Sequence, residues 1–149
     1  MTTARRKGVS GAGAAFWVAT LALAGCGMPA ADLFVVERSG TIPGARLTLL
    51  VGDGGTVRCN GGPEREITSA QLIAARTVAR ELNGDAERPG PARSGLALAV
   101  GPGSVLRYSV RSEAGAVRFS DTSPGQPPVL YRVAKLTRDL ARGPCGLAR

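Results

Sequence analysis

Two hairpin-like segments with a similar pattern, each followed by a helix pattern, constrain this chain more than any other feature. The first segment is LTLLVGDGGTVRC at 47–59, and the second is LRYSVRSEAGAVRF at 106–119. In each, two apolar runs flank a glycine-containing turn, which is the signature of a β-hairpin. Both carry Leu, Val, a turn, Gly, Val and Arg in the same order, so the pattern predicts a β-β-α unit that occurs twice. Chance similarity between two short hairpins is the alternative interpretation.

The segment after the first hairpin carries strong helix signals. Thr68 and Gln71 have the spacing of a capping box, and Ile67 and Leu72 have the spacing of the hydrophobic staple that accompanies it. Gly84 provides the stop after the helix. One apolar stripe with helical spacing predicts the buried face, and it consists of Leu72, Ala75, Ala79 and Leu82.

A second helix is predicted after the second hairpin. Pro128 suits its first turn, where no backbone donor is lost, and Gly143 with Pro144 ends it. Its apolar stripe consists of Val129, Val133, Leu136 and Leu140. Beside that stripe runs a basic strip, which consists of Arg132, Lys135, Arg138 and Arg142. The strip is either a solvated helix face whose cations complement the helix dipole, or a binding surface for anionic lipid headgroups or wall polymer.

Together these elements predict an α+β fold. We expect an antiparallel sheet of about five strands, including an added strand LFVVER at 33–38, with two helices packed on one face. The strands TVRCN at 56–60 and LRYSVR at 106–111 alternate between apolar and polar residues, so the other face of the sheet should stay in water. The polar, proline-containing segment 85–95 is predicted to be an exposed loop.

The N-terminal segment has the pattern of an export signal. Three basic residues at 5–7 precede an apolar run at 14–24, which is far shorter than the roughly 20 residues that a membrane-spanning helix needs. The run ends in Leu23-Ala24-Gly25-Cys26, which resembles the lipobox of bacterial lipoproteins. The resemblance implies that Cys26 receives a diacylglycerol thioether and that the chain is cut before it. Ordinary signal cleavage nearby and a retained membrane helix are the alternatives.

This processing predicts a signal peptide at 1–25, a membrane-proximal tether at 26–32 and one α+β domain at 33–149. The mature chain keeps 16 of the 19 basic residues against 11 acidic ones, a net charge of +5. A basic balance suits nucleic acid or an anionic surface. Because an exported protein rarely meets nucleic acid, we expect no nucleic-acid partner. The expected partners are the cell membrane, through the N-terminal lipid on its extracytoplasmic face, and an envelope protein or anionic polymer.

The cysteine and histidine counts limit the chemistry. Once Cys26 is assigned to lipid, Cys59 and Cys145 form an even pair in an oxidising compartment, so we expect a disulfide, with two buried thiols as the alternative. The chain contains no histidine, which removes Ser–His–Asp and Cys–His catalysis and the commonest metal ligand. Two distant cysteines are too few for a structural zinc site. We therefore predict no catalytic residue, no metal and no cofactor.

Two further functions remain as alternatives to a non-enzymatic binding or accessory role in the envelope. An enzyme could use paired carboxylates as acid and base. The candidate carboxylates are Asp53, Glu64, Glu66, Glu113 and Asp121.

The second alternative rests on a resemblance carried by LTLLV, TVRCNGGP with the helix after it, LRYSV and VRFSD. In outline this order is similar to the subtilisin-inhibitor-like proteins secreted by actinobacteria, which implies a protease-inhibitor module with two disulfides. The chain departs from that family, because Ala74 and Ala75 stand where the helix would carry a cysteine and no cysteine flanks 85–95. A loop without such support is not preorganised to resist cleavage.

Overall fold

The chain folds into one six-stranded antiparallel sheet and two α-helices in a computed structural model, which describes residues 31–147. The strands are β1 (Asp32–Gly40), β2 (Leu47–Gly52), β3 (Thr56–Cys59), β4 (Glu64–Glu66), β5 (Leu106–Ser112) and β6 (Gly115–Ser120), and the helices are α1 (Ser69–Asn83) and α2 (Pro128–Arg142). The strand order is β4-β3-β2-β1-β5-β6. The predicted α+β fold is confirmed, with one strand more than expected.

The strand β1 is the centre of the sheet, because both hairpins pair with it. Val36 lies opposite Leu49 of β2 on one side and opposite Val110 of β5 on the other. The hairpin of β2 and β3 leads to α1, and the hairpin of β5 and β6 leads to α2. The order strand, strand, helix therefore occurs on both sides of β1, with β4 inserted in the first unit.

The short edge strand β4 is the element that the sequence pattern did not reveal. Its three residues, Glu64, Arg65 and Glu66, are all exposed, so no alternation of apolar and polar residues marks it. Glu64 lies opposite Arg58 of β3 and forms a salt bridge with it at 2.7 Å. A short, charged edge strand is also a common means of preventing edge-to-edge pairing with another chain.

The two helices pack on the face of the sheet that carries the alternating apolar residues, and all of them form one core. In α1, Thr68 Oγ1 accepts from the Gln71 amide and Gln71 Oε1 accepts from the Thr68 amide, at 3.2 and 2.9 Å. This geometry confirms the predicted capping box. The buried side chains of α1 are Ala75, Val78, Ala79 and Leu82, so Val78 joins the predicted stripe while Leu72 is only partly buried.

The second helix packs into the core, and a disulfide attaches the segment that follows this helix. Pro128 is in the first turn of α2, as predicted, and all four residues of the predicted stripe are buried. Cys59, the last residue of β3, is bonded to Cys145, with the two Cα atoms 6.0 Å apart. The predicted disulfide is therefore present, and it ties the segment after α2 to the first hairpin.

The loop after α1 is more buried than its polar composition suggested. Ala92 is only 1% exposed and belongs to the core, and its amide donates to the Leu82 carbonyl at 2.9 Å. The prediction of an exposed loop over 85–95 is therefore wrong around Ala92, because this small side chain fits against the end of α1. Beyond it, the Leu96 carbonyl and the Leu98 amide bond the backbone of Arg118, which extends the sheet past β6.

The predicted signal peptide, Cys26 and most of the tether lie outside the described residues. Neither α1 nor α2, the helices within residues 31–147, is long and apolar enough to cross a membrane.

Candidate functional site

The central strand places an arginine on the apolar face of the sheet. Alternation along β1 turns Phe34, Val36 and Arg38 toward the helices, and Arg38 is only 5% exposed. Its Nε–H donates to the Ala45 carbonyl at 2.9 Å, and its Nη2–H donates to the Gly44 carbonyl at 3.0 Å. Burial lowers the pKa of the Arg38 guanidinium, an effect that the nearby Tyr108 opposes. The apolar core therefore ends at Arg38, where a buried positive charge follows Phe34 and Val36 on the same face of β1.

Arg38 lines a cavity of about 600 Å³ between α2 and the strands β1, β5 and β6, which we call the α2 cavity. Three arginines and one carboxylate contribute the charges of its lining. The lining residues are Arg38, Ile42, Leu106, Tyr108, Phe119, Asp121, Gln126, Tyr131, Ala134, Arg138 and Arg142. The α2 cavity is therefore basic, with aromatic and aliphatic surface between the charges.

The strand β5 contributes the Tyr108 hydroxyl to the α2 cavity. Tyr108 lies opposite Arg38 on one side and opposite Phe119 on the other, and its ring stacks on that of Phe119 with 4.9 Å between centroids. Burial raises the pKa of the Tyr108 phenol; the charges of Arg38 and Arg138 oppose that shift and the charge of Asp121 adds to it. The hydroxyl is therefore protonated at neutral pH and can donate a hydrogen bond.

Asp121 and Gln126 use their polar atoms to build the wall of the α2 cavity. The Asp121 carboxylate accepts from Ser104 Oγ at 2.8 Å and from the Val105 amide at 3.3 Å. Gln126 Nε2 donates to the Ser120 carbonyl at 2.9 Å, which holds the loop that leads into α2. These contacts fix the loops on both sides of the hairpin of β5 and β6 and leave the arginines of α2 as the cations nearest to solvent.

The structure divides the basic strip predicted on α2. Arg132 pairs with Glu81 of α1, and Lys135 pairs with Asp139 at 2.6 Å. Arg138 and Arg142 instead line the α2 cavity, and within residues 31–147 neither has a salt bridge. The four predicted residues therefore do not form one surface: two of them are paired with carboxylates, and two line the α2 cavity together with Arg38.

The candidate carboxylates are spread over the domain. Asp53, in the turn between β2 and β3, pairs with Arg76 of α1 at 2.6 Å, and Asp121 is bonded as described above. Glu113 lies in the turn between β5 and β6, at the other end of these strands from Asp121. In the described part of the chain, no three His, Cys, Asp or Glu side chains gather in a group that could hold a metal ion.

The loop at 85–95, which lacks the supporting cysteines of the inhibitor family, is held by internal hydrogen bonds. The Asp85 carboxylate accepts from the amides of Glu87 and Arg88 at 3.0 and 2.6 Å, and the Gly90 amide donates to the Asn83 carbonyl at 3.2 Å. These bonds tie the loop to the end of α1 without a disulfide.

The α2 cavity was not apparent from the sequence, because Arg38 and the two arginines of α2 are about a hundred residues apart in the chain. The signal that could have revealed Arg38 is its position on β1, two residues after Val36 and hence on the same face. No protein-family model matches the chain, and searches of curated proteins and of solved structures found no similar protein.

Proposed function

We propose that this protein is a lipid-anchored, non-enzymatic binding protein on the extracytoplasmic face of the cell membrane, and that its α2 cavity binds a small anionic molecule. The anchoring is supported by Leu23-Ala24-Gly25-Cys26, which resembles a lipobox at the end of a signal-peptide pattern. The binding function is carried by one observation: Arg138 and Arg142 line the same cavity as the buried Arg38.

The electrostatics of the α2 cavity favour a ligand that carries carboxylate or phosphate groups. Three guanidinium groups line it against one carboxylate, and that carboxylate already accepts two hydrogen bonds from the segment that precedes β5. A guanidinium binds a carboxylate or phosphate through two parallel hydrogen bonds, and such bonds are stronger where water is partly excluded. The volume of about 600 Å³ is in the range of small-molecule sites.

Aromatic side chains add the apolar contacts that such a ligand needs. Tyr131 is 58% exposed at the rim of the α2 cavity, while the stacked rings of Tyr108 and Phe119 lie deeper. The Tyr108 hydroxyl can donate to an anionic oxygen, because its raised pKa keeps it protonated. A ligand with one or two anionic groups on a short carbon skeleton fits this combination of donors and rings.

The position of the α2 cavity suits a ligand from the envelope. The strand β1 starts at Asp32, six residues after Cys26, and Arg38 lies about 20 Å farther along the strand at about 3.3 Å per residue. The α2 cavity is therefore near the end of β1 opposite to Asp32.

Binding is tested by calorimetric titration of the full chain, purified in detergent from a bacterial membrane fraction, with citrate and with inorganic phosphate. We expect binding of at least one of them, weakened about tenfold or more by Arg138→Gln with Arg142→Gln, because charge-assisted hydrogen bonds are lost. The matched control, Arg132→Gln with Lys135→Gln, removes the same charge from the same helix and should leave the affinity unchanged. Equal weakening by both pairs would assign binding to net charge and contradict the proposal.

The lipid anchor is tested by the intact mass of the same membrane-extracted protein. We expect the mass of residues 26–149 plus a diacylglyceryl group. Retention of residues 1–25 would contradict the lipoprotein assignment and leave the apolar run as an anchor helix.

A further inference from the structure

The face of the sheet opposite the helices is rich in arginine. The side chains that point away from the core alternate with the buried ones along every long strand. The exposed basic residues on this face and at its border are Arg46, Arg58, Arg107, Arg111 and Arg118. The α2 cavity and this face are therefore on opposite sides of one sheet.

Two of these arginines are paired with carboxylates and three are not. Arg58 binds Glu64 at 2.7 Å, and Arg111 binds Glu37 at 3.2 Å. The other three arginines form no salt bridge with any residue between 31 and 147 and lie around one groove. These three are Arg46, Arg107 and Arg118.

The groove has a volume of about 580 Å³, and we call it the sheet groove. Its floor contains Thr48 and Ser109, which lie opposite Glu37 on the two neighbouring strands. One side is formed by Ala97 and Val100 of the segment that bonds the backbone of Arg118, and Val100 is 51% exposed. The sheet groove is thus a concave depression whose largely apolar lining is bordered by arginine side chains.

Arginine side chains supply most of the charge of the sheet groove. Four arginines line it, of which Arg38 is buried and donates to two backbone carbonyls, and the carboxylate of the groove, Glu37, already accepts from Arg111. The backbone carbonyls of the floor are used in the ladders of the sheet. A peptide laid over this floor would bring one amide donor per residue and find few acceptors besides the side-chain hydroxyl groups, and an unpaired buried donor is costly. The groove arginines therefore favour a ligand that is rich in anionic acceptors.

A phosphodiester chain meets this requirement, because its repeating groups are anionic acceptors. Arg118 lies opposite Ser109, two residues from Arg107, and diagonal neighbours of this kind are about 7–8 Å apart. Both guanidinium groups can therefore contact phosphates along one chain. The two aromatic residues of the groove lining, Tyr108 and Phe119, are buried and stack on each other, so this face offers little of the stacking surface that single-stranded nucleic acids use.

We propose that the sheet groove binds an extended phosphodiester polymer of the cell envelope. That the polymer is an envelope component rests on the proposed function. Binding of a phosphodiester chain in the sheet groove does not require that the α2 cavity bind a ligand. The concave shape, with a side formed by Ala97 and Val100, suits a single chain better than the flat surface of a bilayer.

The test is fluorescence anisotropy of a labelled poly(glycerol phosphate) oligomer with the full chain in detergent, at several salt concentrations. We expect binding that weakens with salt, and about tenfold or greater loss in Arg107→Gln with Arg118→Gln. In this variant the slope of log affinity against log salt should fall by about 1–2, since each phosphate contact contributes about 0.7–0.9. No binding by the wild-type chain, or no loss in the variant, would overturn the proposal.

The matched control is Arg138→Gln with Arg142→Gln, which removes the same charge from the α2 cavity. It should lose much less affinity for the oligomer than the groove variant does, and the groove variant should lose much less affinity for citrate or phosphate than this control does. Each proposal can therefore fail without the other. Equal affinity for poly-L-glutamate would overturn the assignment to phosphodiesters. Binding to vesicles of phosphatidylglycerol without binding of the oligomer would assign this face to a membrane and overturn it as well.

Discussion

Loss of the disulfide between Cys59 and Cys145 should lower the free energy of unfolding by about 4–5 kcal/mol. The bond joins residues that are 86 positions apart, and β4, α1, β5, β6 and α2 all lie between them. In the chain-entropy treatment, a loop of this size restricts the unfolded chain by about 15 cal/mol/K, which is about 4.6 kcal/mol at 25 °C. For a domain of this size, that difference corresponds to a fall in Tm of roughly 15–20 °C.

This magnitude rests on the folded state keeping its other contacts when the bond is absent. Leu136 and Leu140 remain buried in the core, and the Leu147 amide donates to the Ala141 carbonyl at 2.8 Å. Arg65 Nη1 also donates to the Pro144 carbonyl at 3.2 Å. The segment after α2 therefore stays attached without the disulfide, and the cost arises mainly in the unfolded chain.

The assay is urea unfolding followed by far-UV circular dichroism, because the single tryptophan, Trp17, lies in the predicted signal peptide. Wild-type protein with reductant and the double variant Cys59→Ala with Cys145→Ala should give the same loss. Reductant added to the double variant is the control and should change nothing. A loss below about 1 kcal/mol in both samples would refute the loop-entropy reasoning, since the closed loop is fixed by the structure.

Two substitutions and one protease assay test the core, the α2 cavity and the inhibitor alternative. Leu82→Ala removes a fully buried side chain at the contact of α1 with the sheet, and it should cost about 3–5 kcal/mol by urea unfolding. Because burial raises the pKa of Tyr108 above its ordinary value near 10, the unfolded chain loses this proton first as the pH rises. Stability present below pH 10 should therefore decline above it, and Tyr108→Phe should remove that part of the decline. A subtilisin-type protease incubated with the full chain should keep its activity, and stoichiometric inhibition would favour the inhibitor alternative.

The parts of the fold that follow local rules could be predicted from the sequence. Thr68 and Gln71 form the capping box because their spacing brings each side chain to the amide of the other residue. The hairpins form around glycine-containing turns, and the alternation of β2, β3, β5 and β6 selects the buried face. In contrast, β4 has no apolar residue, and Ala92 is buried only because the end of α1 leaves room for a small side chain.

The separation of Arg132 from Arg138 on α2 follows from helix geometry and could have been predicted from the sequence. Each step of three residues falls about 60° short of a full turn of a helix with 3.6 residues per turn. Arg138 is therefore about 120° from Arg132 around the axis of α2, and the two face different neighbours. The neighbours themselves, Glu81 for one and the α2 cavity for the other, depend on how α2 packs against α1 and the sheet. Such contacts between distant segments leave no local pattern in the sequence.

The two proposed sites should influence each other through the sheet that separates them. Arg38 and Tyr108 contribute to the lining of both sites, and the residues next to them in the strands, Glu37 and Ser109, line the sheet groove. Two unit charges on the order of 10 Å apart interact by about 0.4 kcal/mol in water and by about 1.7 kcal/mol at an effective dielectric constant of 20.

Because a bound polyanion offsets the positive charge of the groove arginines, it should weaken the binding of citrate or phosphate in the α2 cavity by roughly two- to twentyfold at low salt. By thermodynamic linkage, the small anion should weaken binding of the polymer by the same factor. Calorimetric titration of the oligomer-saturated full chain measures this coupling, and it should largely disappear at 0.5 M salt as the Debye length shortens. Coupling that persists unchanged at high salt would contradict an electrostatic origin and indicate that the strands move when either site is occupied.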